Sequence, residues 1–111
     1  MRRVDEAVRE VLGDAVSRDL KDPRVGFVTV TEVRTSPDLR HARVFVSVLG
    51  TDEERSATIE GLSSAHGILQ ARVARELRMK RTPALTFELD DTAERAARLE
   101  ALIDQVQEDG A

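Results

Sequence analysis

The sequence predicts a small α+β domain in which helices cover a three-stranded sheet, and three patterns carry that reading. Apolar residues recur at three- and four-residue spacing near the start and again through residues 59–77. They fall at every second position in residues 42–48 and alternate with polar residues in 85–89. Proline and glycine breaks separate these stretches at the points where one period gives way to the other.

The first element is a helix. Val4, Ala7, Val8, Val11, Leu12, Ala15, Val16 and Leu20 form a broad amphipathic stripe. It should end near Lys21-Asp22-Pro23, because the residue before a proline avoids the helical conformation. Residues 25–35 are rich in Val and Thr and read as a strand. Ser36-Pro37-Asp38 breaks it, and residues 39–49 return as a second strand with Ala42, Val44, Val46 and Val48 on one face. The two strands predict an antiparallel hairpin. Val28 and Val30 are out of phase with Val33, so a bulge is expected between them.

Gly50 closes the sheet run, and Thr51 with Glu54 fits a helix capping box. Ile59, Leu62, Ala65, Leu69, Val73 and Leu77 then keep helical spacing, interrupted by Gly61 and Gly67. Two glycines in one helical run predict a bend, since each costs about 1 kcal/mol relative to alanine in a helix. Pro83 ends the helix, and Leu85, Phe87 and Leu89 mark a third strand. Asp91 with Glu94 repeats the capping pattern, and Ala96, Leu99, Ile103 and Val106 give the stripe of a last helix. The order is α-β-β-α-bend-α-β-α, one domain over residues 1–107 with a frayed tail at 108–111.

Composition narrows the function. The 111 residues leave room for one core and no second catalytic lobe. With no cysteine there are no disulfides and no thiolate metal site. The N-terminal residues lack the apolar run of a secretory signal, and no apolar stretch approaches the roughly 20 residues that cross a bilayer. A cytoplasmic protein that engages no membrane is the expectation. Hydrolase elbows, phosphate loops and zinc-protease patterns are absent from the sequence, so no catalytic residue, metal or cofactor is assigned.

Net charge is −4, but its distribution is uneven. Between residues 61 and 81, Arg72, Arg75, Arg78, Lys80 and Arg81 face Glu76 alone. Residues 82–111 instead carry eight acids against Arg95 and Arg98. Such a chain would approach a polyanion with one side only. A ridge of this kind can neutralise several nucleic-acid phosphates, each contact releasing counterions. The same residues also fit a solvated helix face, with Glu76 placed to pair with Arg72.

Other candidates are thinner. His41 and His66 have no local ligand set and read as surface or packing residues. Asp90, Asp91 and Glu94 could hold a divalent metal in a nuclease, although helix capping explains Asp91 and Glu94 with less. A protein-interaction module that binds no RNA is the other alternative. Phe27, Phe45 and Phe87 are the only aromatics and all fall in predicted strands, so base stacking is poorly supplied.

Longer sequence signatures are more specific. They are Leu20-Lys21-Asp22-Pro23-Arg24, Val28-Thr29-Val30-Thr31, and Asp38-Leu39 with Ala42, Val44, Val46 and Ser47. Leu62, Ala65-His66-Gly67, residues 78–83, Leu85-x-Phe87 and Asp90-Asp91-Thr92 follow in order. In this colinear register the chain resembles the ribosome-binding factor A family over nearly its whole length. The resemblance implies a type II KH-like domain in which an Ala-x-Gly kink, here Ala65, His66 and Gly67, replaces the usual Gly-x-x-Gly loop. It also implies a non-enzymatic assembly factor that binds the free 30S subunit and 16S ribosomal RNA and supports late maturation and rRNA processing. Small-subunit proteins and assembly GTPases are further partners it implies, with a monomeric state and a link to cold adaptation. On that reading Arg72, Arg75, Arg78, Lys80 and Arg81 hold RNA phosphates.

Overall fold

The computed structural model describes residues 2–109, with the side chains of Ala93, Glu94, Glu108 and Asp109 outside the description. Its elements are α1 (Arg2–Arg18), β1 (Val28–Thr35), β2 (His41–Val48), α2 (Asp52–Ser64), α3 (His66–Leu77), β3 (Ala84–Leu89) and α4 (Thr92–Asp109). Their order is the one the periodicities predict. β1 pairs antiparallel with β2, and β2 pairs parallel with β3 on its other side. A parallel neighbour needs a long crossover, and the α2–α3 segment supplies it. No helix among the described residues is long and apolar enough to cross a membrane.

One core joins α1, the inner face of the sheet, and the α2–α3 crossover. Val8, Leu12 and Ala15 of α1 meet Val44 and Val46 of β2, Leu62 of α2, and Leu69 and Val73 of α3 in a single buried cluster. The first strand begins at Val28, three residues later than the Val-rich run suggests. Residue 27 contributes only one rung, with the Leu49 N–H donating to its carbonyl at 3.2 Å. The register shifts between Val30 and Glu32, so Thr31 is the extra residue of a β-bulge. That extra residue lets both Val30 and Val33 face the core despite their odd spacing.

Local chemistry fixes the helix starts. Thr51 Oγ1 accepts from the Glu54 N–H at 3.2 Å, and Glu54 Oε1 accepts from the Thr51 N–H at 3.2 Å. Both halves of the expected capping box are therefore made at α2. At α4 the second half of the expected box falls on Glu94, whose side chain lies outside the described residues. The Asp91 carboxylate instead takes Arg95 at 3.0 Å, while Asp90 Oδ1 accepts from the Thr92 N–H at 3.0 Å.

The last helix departs from the sequence reading in its packing. It spans Thr92–Asp109, reaching into the tail expected to fray from 108, and residues 110–111 lie outside the described residues. Its stripe, however, is left in solvent. Leu99, Leu102, Ile103 and Val106 are all about half exposed or more, and among the described residues α4 packs extensively on no other element. Eighteen helical residues span about 27 Å, which accounts for the elongated 60 × 33 × 17 Å envelope.

Candidate nucleic-acid interface

The basic stretch lies on α3 and the turn after it, and the preceding bend sets where α3 points. The helical run breaks at Ala65, where φ −89° and ψ 7° leave the helical basin. The Ala65 N–H still donates to Gly61 O and Leu62 O, both at 3.1 Å, so the break changes direction without losing a turn of hydrogen bonds. His66 Nδ1 lies 2.8 Å from Ser63 O, and a carbonyl can only accept, so that ring nitrogen carries the proton. His66 and Gly67 are exposed on the outer side of the bend.

The two glycines that flag the bend act differently. A side chain on Gly61 would place Cβ 2.7 Å from Val25 Cγ2 and 3.4 Å from Arg24 Cβ. Gly61 is therefore the seat on which residues 22–25 press against α2. That loop is held by Thr58, whose buried hydroxyl lies 2.9 Å from Glu54 O and 3.2 Å from Arg24 O. Arg24 also binds Asp22 at 2.6 Å and reaches Ser64, the last residue before the bend, at 3.2 Å. The Lys21-Asp22-Pro23-Arg24 signature is thus a brace on α2. A Cβ on Gly67 would meet nothing within 4 Å, so no close approach requires that glycine.

The five cations of the predicted ridge fall into two groups. Arg72 is turned inward, its side chain 16% exposed, with Nη2 2.6 Å from Asp14 Oδ2 and Nη1 2.6 Å from Asp19 Oδ2. Its Nε pairs with Glu76, the neighbour one turn on. These carboxylates, Glu76 first and Asp19 next, raise the Arg72 pKa further above its ordinary value. Arg72 therefore rivets α3 to α1. Nothing in the neighbouring sequence signals this role, because Asp14 and Asp19 lie more than fifty residues away.

Arg75, Arg78, Lys80 and Arg81 are exposed, and among the described residues none has a carboxylate partner. Arg78 caps α3 in the left-handed conformation, φ 51° and ψ 43°. A non-glycine residue there turns the chain sharply, so Lys80 and Arg81 leave the helix axis instead of extending it. Pro83 is fully buried and anchors the far end of this turn before β3. The arrangement can present positive charge to phosphates but offers no nucleophile or general base.

The acidic candidates are engaged at the β3–α4 junction. Asp90 Oδ2 accepts from the Thr31 hydroxyl at 2.6 Å. With the Thr92 contacts this lowers its pKa from 3.8 to about 2. Asp91 holds Arg95. Among the described residues no group of three or more His, Asp or Glu side chains is arranged to hold a metal ion. His41 starts β2 and His66 starts α3.

Fold and surface together define a small α+β domain with a braced helix bend and a cationic end. The family model for ribosome-binding factor A matches residues 1–103, and the chain belongs to that family. Its fold is similar to the crystal structure of ribosome-binding factor A from Thermus thermophilus, with TM-score 0.72 and 30% identity over 79% of this chain and 92% of that one. A solution structure of a Thermotoga maritima protein proposed as a ribosome binding factor A matches with TM-score 0.71 and 36% identity, covering 78% and 83% of the two chains. A homology model of the Thermus thermophilus factor, fitted into a cryo-EM map of a complex with the 30S subunit, matches with TM-score 0.66 and 31% identity over 78% and 91%.

Proposed function

We propose that this chain is a non-catalytic assembly factor that binds the free 30S subunit and supports its late maturation and the processing of 16S ribosomal RNA. The observation that carries the reading is the set Arg75, Arg78, Lys80 and Arg81, exposed and without carboxylate partners among the described residues, on a member of the ribosome-binding factor A family. These four side chains make the phosphate contacts, and Arg72 holds α3 against α1 so that they project together. The Ala65-His66-Gly67 bend sets the angle of α3 on the sheet, in the place where a KH domain carries its Gly-x-x-Gly loop. Backbone and shape dominate recognition, because the basic segment contains no aromatic side chain for a base to stack on.

The acidic helix α4 faces away from RNA or toward a basic small-subunit protein, and its solvent-facing apolar stripe suits the second arrangement. The chain works as a monomer in the cytoplasm, with assembly GTPases acting in its release and a role in growth at low temperature. The test is co-sedimentation with small subunits. A variant carrying Arg75→Glu, Arg78→Glu, Lys80→Glu and Arg81→Glu should lose binding while its circular dichroism stays unchanged. Arg72 is left intact in this variant, since its loss would disturb the packing of α1. Binding that persists in the reversed variant removes the phosphate role. Binding that resists high salt points instead to a protein-interaction module, because phosphate contacts weaken steeply as salt rises.

A further inference from the structure

Most arginines in this protein are neutralised in place: Arg9, Arg18, Arg24, Arg34, Arg43 and Arg95 each sit within 4.0 Å of a carboxylate. Arg75, Arg78, Lys80 and Arg81 escape this pairing, and among the described residues they share that state with Lys21 and the neighbours Arg2 and Arg3. The fold brings Arg2 and Arg3 to the basic end. α1 and α3 pack antiparallel, since Arg72 on α3 reaches Asp14 and Asp19 near the end of α1. At the far end of α3, Leu77 and, in the turn just past it, Met79 share a groove of about 250 Å³ with Arg3, Val4 and Ala7 at the start of α1. The first turn of α1 therefore lies beside the turn that carries Arg78, Lys80 and Arg81.

Among the described residues, none of the acids nearby is paired with Arg2 or Arg3. Glu6 holds Arg9 at 2.9 Å, and Asp5 accepts from the Thr35 N–H at 3.1 Å. Glu10 lies about two helical turns from Arg3 and lines one groove with Arg2, Arg3 and Glu6, but among the described residues it makes no ion pair with either arginine. Charge at Arg2 and Arg3 is thus not cancelled by an ion pair.

We propose that Arg2 and Arg3 form a second side of the phosphate-binding surface, so that one RNA backbone is gripped by α1 and by the end of α3 together. The proposal rests on the RNA-binding reading above and adds an element to it. Between the two sets of cations, Val4, Ala7, Leu77 and Met79 give an apolar floor. Their side chains offer no hydrogen bonds to base edges, so the added contacts strengthen binding without adding sequence preference. Lys21 provides the contrast. It is also unpaired, but it lies beyond the other end of α1, about 25 Å along the helix from Arg3.

The experiment measures binding of the full chain to a fluorescein-labelled hairpin from 16S ribosomal RNA by anisotropy, across a series of salt concentrations. Arg2→Gln with Arg3→Gln should weaken binding and flatten the slope of log K against log salt by about 1.4 to 1.8, the share of two phosphate contacts. Lys21→Gln should match the unmodified chain. A variant with Arg75→Gln, Arg78→Gln and Arg81→Gln reports on the underlying site. If that variant weakens binding while the Arg2/Arg3 variant does not, the α1 contribution is overturned and the α3 site stands. If Lys21→Gln lowers the slope by as much per charge as Arg2 and Arg3, the effect is net charge, and the proposal falls. If none of the variants changes binding, the RNA-binding reading fails and the proposal fails with it. All substituted residues are exposed, and melting curves confirm that each variant folds.

Discussion

At the scale of single residues, the two glycines of the crossover separate what packing demands from what helix propensity disfavours. Gly61→Ala places a methyl carbon 2.7 Å from Val25 Cγ2, which forces residues 22–25 away from α2. Overpacking of this kind costs about 1–3 kcal/mol, against about 1 kcal/mol gained from helix propensity, so a net loss of up to about 2 kcal/mol is expected. Gly67→Ala meets open space and keeps only the gain, so it should raise stability by up to about 1 kcal/mol. Urea denaturation of the two variants checks the pair. A stabilised Gly61→Ala would remove the bracing role given to residues 22–25. The bend itself was legible from these glycines, but their division of labour was not. Spacing along one helix cannot show that a loop far earlier in the chain lies on Gly61 and not on Gly67. The same blindness hid the ties of Arg72 to Asp14 and Asp19, since only its pairing with Glu76 one turn away could be read from spacing.

At the scale of elements, the bulge in β1 has a consequence for the start of α4. The out-of-phase valines announced a bulge, and Thr31 is its extra residue. Its hydroxyl reaches Asp90 across the sheet, tying β1 to the junction of β3 and α4. The partner could not be read from sequence, because it depends on β3 lying parallel beside β2. This hydrogen bond, first among the causes, holds the Asp90 pKa at about 2 against 3.8 for the free group. A depressed folded-state pKa adds stability above the unfolded value and loses it as pH falls toward the folded one. Asp90 is largely solvent-screened, so the contribution at neutral pH is about 1 kcal/mol at most. Asp90→Asn should therefore destabilise the protein by up to that amount at pH 7. The difference from the unmodified chain should shrink between pH 4 and pH 2, as thermal melts at each pH would reveal. A gap that stays constant across that window would mean the Asp90 charge is not what Thr31 and Thr92 hold.

At the scale of the whole molecule, the protein is a packed core with one helix standing off it. The core was legible because buried positions keep their period: Val8, Leu12 and Ala15 on α1, and Val44 and Val46 on β2, lie where the pattern puts them. The α4 stripe has the same period, yet it meets solvent, because periodicity shows that a face is apolar but not what covers it. If α4 contributes little to the core, removing it should leave the rest intact. Among the described residues, its ties to the body include the exposed Arg95–Asp91 pair and the Thr92 N–H on Asp90. An exposed pair of this kind contributes a few tenths of a kcal/mol. One kcal/mol moves the midpoint of a domain this size by about 4–8 °C, so a chain ending at Asp91 should melt cooperatively within about 4 °C of the full one. Differential scanning calorimetry of the two chains measures this directly. A larger fall, or a broad transition, would show that Leu99, Ile103 and Val106 spend their time against the body of the protein and that the extended helix is a minor arrangement. A sharp transition at nearly the same temperature would leave α4 as an acidic, apolar-striped arm whose use lies outside its own fold.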